Sequence, residues 1–596
     1  MNESSKYVIQ AVIVLIAAGL LLKIFSIQVV TEDFSQGGSR KQVEYPYRGN
    51  ITDRNGKLIV YNSPVYDLMV VYNEARIADT TRFCLIFDIE REQLETALKK
   101  ARKTRLIPVP VRERIYNHEF ARIQDYLVDY PGFYVQARTI REYSSPALAN
   151  ALGYIGEISK SRLDRDTSGY YQSGDFIGIS GLESRYEEQL RGKRGLKVKL
   201  VNAQGVEQGA YQEGRLDIPS QPGVNLVSTI DLDLQQYAEM LMAGKTGSII
   251  ALEPATGEIL TMASGPSYDP NLLAGRDFGT NYADLQTDSL RPLFNRPIMA
   301  DVYPPGSIFK LLQSLIALEE GVIEPYTRFT CNRNLIACHG PHSYENLNGA
   351  IKHSCNPYFY QTFRRILRNN EEEDPFKSAP IGMEKWRQYL LSFGLGRQLG
   401  IDLPNEKPGI IPKTDLYDRI YGKGRWKFSN VFSLAIGQGE LGVSPLQMAN
   451  FATIIANRGY YIRPHLIKSI GDQGPLPEYT EKLYSMVSEE HYTPVVDAME
   501  DVVKSGTGQY RAKLKDITVC GKTGTVQNPH GEDHSVFIAF APKENPQIAV
   551  SVYVENAGQG ARAAAAIAGL MIEKYLKGEE AELRMEDYVL KGEFIY

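Results

Sequence analysis

The run Tyr303-Pro304-Pro305-Gly306-Ser307-Ile308-Phe309-Lys310 sets a hydroxyl and an amine three residues apart. Behind them, apolar residues at 308, 311, 312, 315 and 316 follow the spacing of a helix that faces a core and ends near Gly321. Ser307 then falls in the first turn, where the positive end of the helix favours an alkoxide, and Lys310 shares its face. A serine hydroxyl needs such help because almost none of it is ionised at neutral pH; a desolvated lysine of lowered pKa can take its proton. Alone, this S-x-x-K pattern is weak, and its plain alternative is a helix-start serine beside a solvated lysine.

Two later motifs change the weight of the first. His353-Ser354-Cys355-Asn356 supplies S-x-N, and Cys520-Gly521-Lys522-Thr523-Gly524-Thr525 supplies K-T-G. The stretch 516–526 reads as a strand, followed by strand-like runs at 535–541 and 547–555, a meander whose edge strand lines a cleft. A second K-T-G, Lys245-Thr246-Gly247, precedes the serine and leads into the strand-like run 248–253 and the turn Pro254-Ala-Thr-Gly257. It reads as a strand entry and not as part of a site.

A third cluster has the chemistry of a metal site. Of 5 Cys and 8 His, Cys331, Cys338 and Cys355 and His339, His342 and His353 fall just behind the serine helix. Thiolates with an imidazole suit tetrahedral Zn²⁺, and four closed ligands would make it structural. The preferred set is Cys331, Cys338, His342 and Cys355, with His339 as the alternative to His342. The competing reading is a Cys331–Cys338 disulfide with a spare thiol, as an oxidising compartment favours. A zinc ion here would pin the loop that carries Ser354 and Asn356.

The rest of the chain must position these groups. Its 596 residues, 43% hydrophobic and 23% charged, have room for several domains and exclude wholesale disorder or a polytopic membrane protein. A net charge of −5 without a long basic run gives no footprint for nucleic acid. Tyr7 to Val30 is long and apolar, interrupted only by Lys23, and no small-residue cleavage site follows it. It reads as an uncleaved transmembrane anchor, with residues 1–6 as a cytoplasmic tail and the remainder outside the cytoplasm. Arg48 to Gly56 is turn-rich, 57–61 is strand-like, and 86–130 is charge-rich and reads as solvated amphipathic helices. Gly178 to Gly192 starts a short helix, and Gln221-Pro222-Gly223 reads as a linker. The domains are therefore set at 31–225 and 226–596.

In order, S-x-x-K, S-x-N and K-T-G are the motif set of serine penicillin-recognising enzymes. With the single anchor, Arg48-Gly49, Asp53-Arg54-Asn55-Gly56, Gly181-Leu182-Glu183, Asn295-Arg296 and Gly437-Gln438-Gly439, the chain resembles the class B penicillin-binding proteins over nearly its whole length. It is most similar to their elongation-specific members in Gram-negative bacteria. No glycosyltransferase domain fits in residues 31–225. The resemblance implies an α+β (α/β) multidomain protein: a transmembrane helix, an elongated pedestal, and a β-lactamase-like transpeptidase domain with an antiparallel sheet flanked by helices. It implies a peptidoglycan D,D-transpeptidase of the inner membrane facing the periplasm, a target of β-lactams, with a SEDS-family glycan polymerase and the elongation complex as partners. In family terms Ser307 is the nucleophile, Lys310 its base, Ser354 a proton relay and Asn356 the group that orients Lys310. Lys522, Thr523, Gly524 and Thr525 hold the substrate's carboxylate side, and the N–H groups of Ser307 and Thr525 form the oxyanion hole. Like charge from Lys522 should depress the pKa of Lys310. Some elongation-type members match His342 and Cys355 as zinc ligands but carry carboxylates near Cys331 and Cys338.

The alternatives are a division-specific transpeptidase, a membrane-bound β-lactamase, a D,D-carboxypeptidase and an inactive scaffold. A β-lactamase needs a water-activating carboxylate, which the sequence does not identify.

Overall fold

Ile548-Ala-Val-Ser-Val-Tyr-Val554 is buried at every position, which requires packing on both faces of its sheet. In the computed structural model it is the central strand of five. We label them β1 (Gly247–Leu252), β2 (Ile259–Gly265), β3 (Cys520–Val526), β4 (His534–Ala541) and β5 (Ile548–Val554), in the spatial order β2-β1-β5-β4-β3. Every pairing is antiparallel. Side chains alternate between two cores. Ile249, Ala251, Phe537, Ala539, Val550 and Val552 join one with helices α1 (Leu232–Met242) and α7 (Ala564–Lys577). Ile250, Leu252, Ile538, Phe540, Ala549 and Tyr553 join the other. That second core holds helices α2 (Phe309–Glu319), α3 (Leu347–Lys352), α4 (Asn356–Ile366), α5 (Pro445–Ala456) and α6 (Tyr492–Ser505). Each fully buried Leu or Ile contributes about 1.5–3 kcal/mol, so the two cores make this sheet a rigid platform.

The structure describes residues 3–25, 38–104, 108–201, 207–275, 277–340, 342–368 and 372–594. The chain divides into two units, and the division does not follow a single cut at 225. The larger comprises Gly49–Ser63, Arg141–Arg191 and Val224–Tyr596; the smaller comprises Met1–Arg48, Pro64–Ile140 and Gly192–Gly223. Thus the Asp53-Arg54-Asn55-Gly56 turn and the Gly181-Leu182-Glu183 helix belong with the sheet of the larger unit. Asp53 accepts from the amides of Asn55 and Lys57, which closes the turn. Arg141 Nε donates to Glu183 Oε1 at 2.7 Å and its Nη2 to Gly49 O at 2.7 Å, all within the interior. Gly49 is required because a Cβ there would sit 1.9 Å from Val224 O.

In the smaller unit, Ser39–Glu44, Gly195–Val201 and Glu207–Ala210 form an antiparallel sheet. Val65–Val70 pairs with Val109–Tyr116 over a core of Phe83, Phe87, Tyr130 and Phe133. The expectation of solvated helices across 86–130 is therefore corrected. Arg91–Thr104 is a helix whose Leu94, Ala97 and Ala101 are buried, but Val109–Tyr116 is a strand. The strand is irregular: Val111, Arg112 and Ile115 are buried, Arg114 has φ +57°, and its pairing shifts register, so its pattern follows neither period two nor 3.6.

Helix Glu3–Phe25 covers most of the expected anchor, and its large apolar side chains from Val12 to Leu22 are exposed. Among the described residues no helix is long and apolar enough to cross a membrane. Residues 26–30, the end of the expected span, lie outside the described residues.

Candidate active site

Ser307 lies on a 3₁₀ turn, Gly306–Ile308, that runs straight into α2. The sequence pattern predicts a helix with one apolar face, but α2 is buried all round from Phe309 to Leu318. Its polar groups are satisfied inside: Ser314 donates to Lys310 O at 2.8 Å, and Gln313 accepts from Trp386 Nε1 at 3.0 Å. Gly306 has φ +57°, and a Cβ there would meet Thr525 O at 2.9 Å, so the serine turn lies directly against β3. The amide of Gly306 donates to Gly437 O at 2.8 Å, which gives the Gly437-Gln438-Gly439 segment its place behind the Ser307 turn.

Ser354 and Asn356 flank the junction of α3 and α4. Ser354 is non-glycine yet has φ +57°, a conformation that costs about 1 kcal/mol or more and that persists where surrounding structure imposes it. Here Pro357 starts α4, and the amide of Cys355 donates to Ala350 O at 2.9 Å. The Lys310 amine, fully buried, donates to Ser354 O at 2.7 Å, Ser354 Oγ at 3.0 Å and Asn356 Oδ1 at 2.5 Å. From β3, the Lys522 amine donates to the same Ser354 Oγ at 3.1 Å and to Thr523 O at 2.9 Å. The three motifs thus meet on one hydroxyl.

Burial lowers the pKa of Lys310 to about 8, against a smaller opposing effect of the Cys338 and Cys355 sulfurs. Burial lowers Lys522 as well, and the positive charge of Lys310 adds to it. Desolvation is the larger cause at both amines, and the like-charge repulsion between them is mutual, so each disfavours the charged form of the other.

Gly524 packs on the serine turn, where a Cβ would come 3.2 Å from both Pro305 O and Ile308 Cγ2. β3 starts at Cys520, not 516, because Asp516 has φ +61° and breaks the extended run. It is an edge strand, as the meander requires. Thr523 and Thr525 lie on it beside Lys522. Lys245 is elsewhere: its amine donates to Ala243 O at 3.1 Å, and Gly247 begins an interior strand.

Three participants escaped the sequence reading. Thr507 Oγ1 pairs with Thr523 Oγ1 at 2.7 Å. Ala337 O accepts from Asn356 Nδ2 at 2.7 Å, which fixes the amide so that its oxygen faces Lys310. The amide of Gly560 donates to Thr525 Oγ1 at 3.0 Å, and a Cβ on Gly560 would collide with Gly524 O at 2.0 Å. Isolated Thr, Ala and Gly residues carry no local signal; only the fold brings them in.

Cys331, Cys338, His342 and Cys355 converge so that their donor atoms all lie within 4.8 Å of one another. His339 is not in that group. Cys338 Sγ lies 3.4 Å from His342 Nε2, and hydrogen bonding from Cys355 lowers the Cys338 thiol below the usual range of a cysteine. Three sulfurs and one imidazole nitrogen at this spacing fit the donor set and closure of a tetrahedral zinc site.

Residues 247–573 match the penicillin binding protein transpeptidase domain, and residues 43–228 match the penicillin-binding protein dimerisation domain. The chain is 30% identical to the peptidoglycan D,D-transpeptidase MrdA of Acinetobacter baumannii, across 94% of this chain and 84% of that one. Among solved structures it is similar to the complex between penicillin-binding protein PBP2 and MreC from Helicobacter pylori, with TM-score 0.72, 25% identity, and coverage of 91% of this chain and 100% of the other. It is also similar to a chain of a peptidoglycan synthase complex solved for the coordination of polymerization and crosslinking, with TM-score 0.73, 25% identity, and coverage of 96% and 98%.

Proposed function

The chain belongs to the class B penicillin-binding proteins, which join a dimerisation domain to a transpeptidase domain, and from that premise we propose that it cross-links peptidoglycan stem peptides during cell-wall elongation. The observation that carries the reading is the meeting of Lys310 and Lys522 on Ser354 Oγ, behind the serine at the start of α2.

The chemistry follows from those positions. Ser307 Oγ attacks the carbonyl carbon between the two terminal D-Ala residues, and its proton passes to the neutral amine of Lys310. Asn356 Oδ1 aims that amine. The N–H groups of Ser307 and Thr525 stabilise the oxyanion, about 3 kcal/mol for one such donor. The C–N bond then breaks, and the departing D-Ala amine takes a proton through Ser354, which both lysines hold. The result is an ester on Ser307 and free D-Ala. The amine of a neighbouring stem peptide attacks the ester, an amide forms as a 4,3 cross-link, and Ser307 recovers its proton. Lys522, Thr523 and Thr525 hold the carboxylate end of the donor, and Gly524 lets it approach the strand. A β-lactam follows the first half of this path and stays as an acyl-enzyme.

Three associated properties are part of the proposal. The helix Glu3–Phe25, with its exposed apolar side chains, supports a single-pass anchor in the inner membrane that leaves the catalytic domain in the periplasm. The likeness to chains solved with MreC and in a synthase complex supports partners in the elongation complex, among them a SEDS-family glycan polymerase. Cys331, Cys338, His342 and Cys355 would hold a structural Zn²⁺ that ties the Ser354–Asn356 loop in place. Depletion of the protein in its host tests the elongation role: cells should round up, whereas filaments would assign it to division.

A further inference from the structure

His342 has two sets of neighbours. Its Nε2 lies 3.4 Å from Cys338 Sγ, within the group of Cys331, Cys338 and Cys355. It also shares a second group with Glu345 and His353, whose donor atoms likewise lie within 4.8 Å of one another. There His353 Nδ1 is 3.0 Å from Glu345 Oε1, and the His342 and His353 rings are nearly parallel at 15° with centroids 5.6 Å apart. The two groups hang on one frame. Thr330 and Tyr344 pair across a two-stranded ribbon, the amide of Cys331 donates to Ser343 O at 2.7 Å, and His353 and Cys355 flank Ser354.

Exposure rises outward: Cys355 is 0% exposed, Cys331, Cys338 and His342 are half-buried, and the side chain of His353 is 41% exposed. We propose that His342, Glu345 and His353 form an outer, exchangeable zinc site, through which the ion reaches and leaves the thiolate site. The proposal rests on the zinc reading of the three cysteines.

The donor chemistry sets the direction of transfer. Two imidazoles and a carboxylate give Zn²⁺ three ligands and leave the fourth position to water, which an incoming ligand can displace. Three thiolates with an imidazole close the shell and bind far more tightly. A closed shell has no vacant position for an incoming ligand, so direct exchange with solvent is slow. His342 belongs to both sets, and the ion can cross by replacing Glu345 and His353 with sulfurs one at a time. Each thiol that enters the shell releases its proton to solvent, and the reverse order frees the ion. A neutral imidazole offers one lone-pair nitrogen at a time, so His342 serves one set at a time and the two sets hold one zinc between them.

A supporting shell and a port predict opposite signs. If Glu345 and His353 only buttressed His342, their loss would loosen the site and speed release. As a port, their loss removes the intermediate and slows both loading and release. The test uses the full chain in detergent, with zinc as the probe and a chromophoric chelator in excess, comparing wild type, Glu345→Gln, His353→Ala and His353→Gln. Thermal unfolding checks that each variant is folded, and the glutamine variants keep the shape of the site. The expected result is one zinc per chain in all four, with loading and release slowed about ten-fold in the variants. Unchanged or faster exchange in zinc-loaded variants overturns the port alone. A wild-type chain that takes up no zinc overturns the port and the thiolate site together.

Discussion

The backbone amide of Asn356 donates a hydrogen bond to Cys338 Sγ at 3.3 Å. The side chain of the same asparagine holds the Lys310 amine, so one residue connects the thiol cluster to Lys310. A group that fixes Cys338 therefore fixes Asn356, and through it the direction of the Lys310 amine.

That relationship gives a first prediction. Purified protein should contain about one zinc per chain by elemental analysis. His342→Ala, or removal of the ion by a strong chelator, should lower thermal stability and slow acylation by penicillin on the order of 10-fold. A metal-free, fully active protein with a Cys331–Cys338 disulfide is the opposite outcome.

A second prediction separates the two K-T-G motifs. Lys522→Ala should slow acylation about 100-fold, since the lost charge-assisted hydrogen bonds are worth about 3 kcal/mol. Lys245→Ala should leave it within a few-fold, because its amine is engaged by Ala243 O. Rate constants from penicillin labelling of the two variants decide this, and equal losses would place the site wrongly.

A third concerns pH. Burial lowers Lys310 to about 8, so at neutral pH only about one amine in ten is free to accept the Ser307 proton. A base of lowered pKa is protonated and inactive on the acid side, so the acylation rate should rise with pH through a midpoint near 8 and level off above it. A pH profile of single-turnover acylation that is flat from 6 to about 9 would remove Lys310 from the role of base.

A fourth concerns stability. Arg141 and Glu183 are an interior ion pair, with side chains 1% and 0% exposed. Glu183→Ala leaves the Arg141 charge buried without its carboxylate partner and should cost about 3–5 kcal/mol. Denaturant unfolding that follows the larger unit measures it, and a loss below about 1 kcal/mol would mean that water replaces the carboxylate.

The sequence carried the site further than it carried the fold around it. Lys310, Ser354, Asn356 and Lys522 were legible as a group because each contributes its side chain from a short ordered motif, and the fold brings those four together with Ser307 on the turn that leads into α2. The meander of β3, β4 and β5 was legible from long apolar runs. The strand Val109–Tyr116 was not, because its two arginines and glutamate give it the composition of a surface helix and its buried residues do not alternate. Thr507, Gly560 and Ala337 were invisible for a different reason: they contribute a hydroxyl, a missing Cβ and a carbonyl, which gain meaning only through residues far away in sequence. The placement of Gly49 and Glu183 with the larger unit likewise depends on the packing around Arg141.

The central claim is that Ser307 is the acylated nucleophile. The direct measurement is peptide mapping by mass spectrometry after the full chain has reacted with penicillin, beside the same experiment on Ser307→Ala. The account predicts one acylated peptide, containing Ser307, and none in the variant, which should unfold at the temperature of the wild type. An acylated peptide that lacks Ser307, or labelling that persists in a folded Ser307→Ala protein, would contradict it.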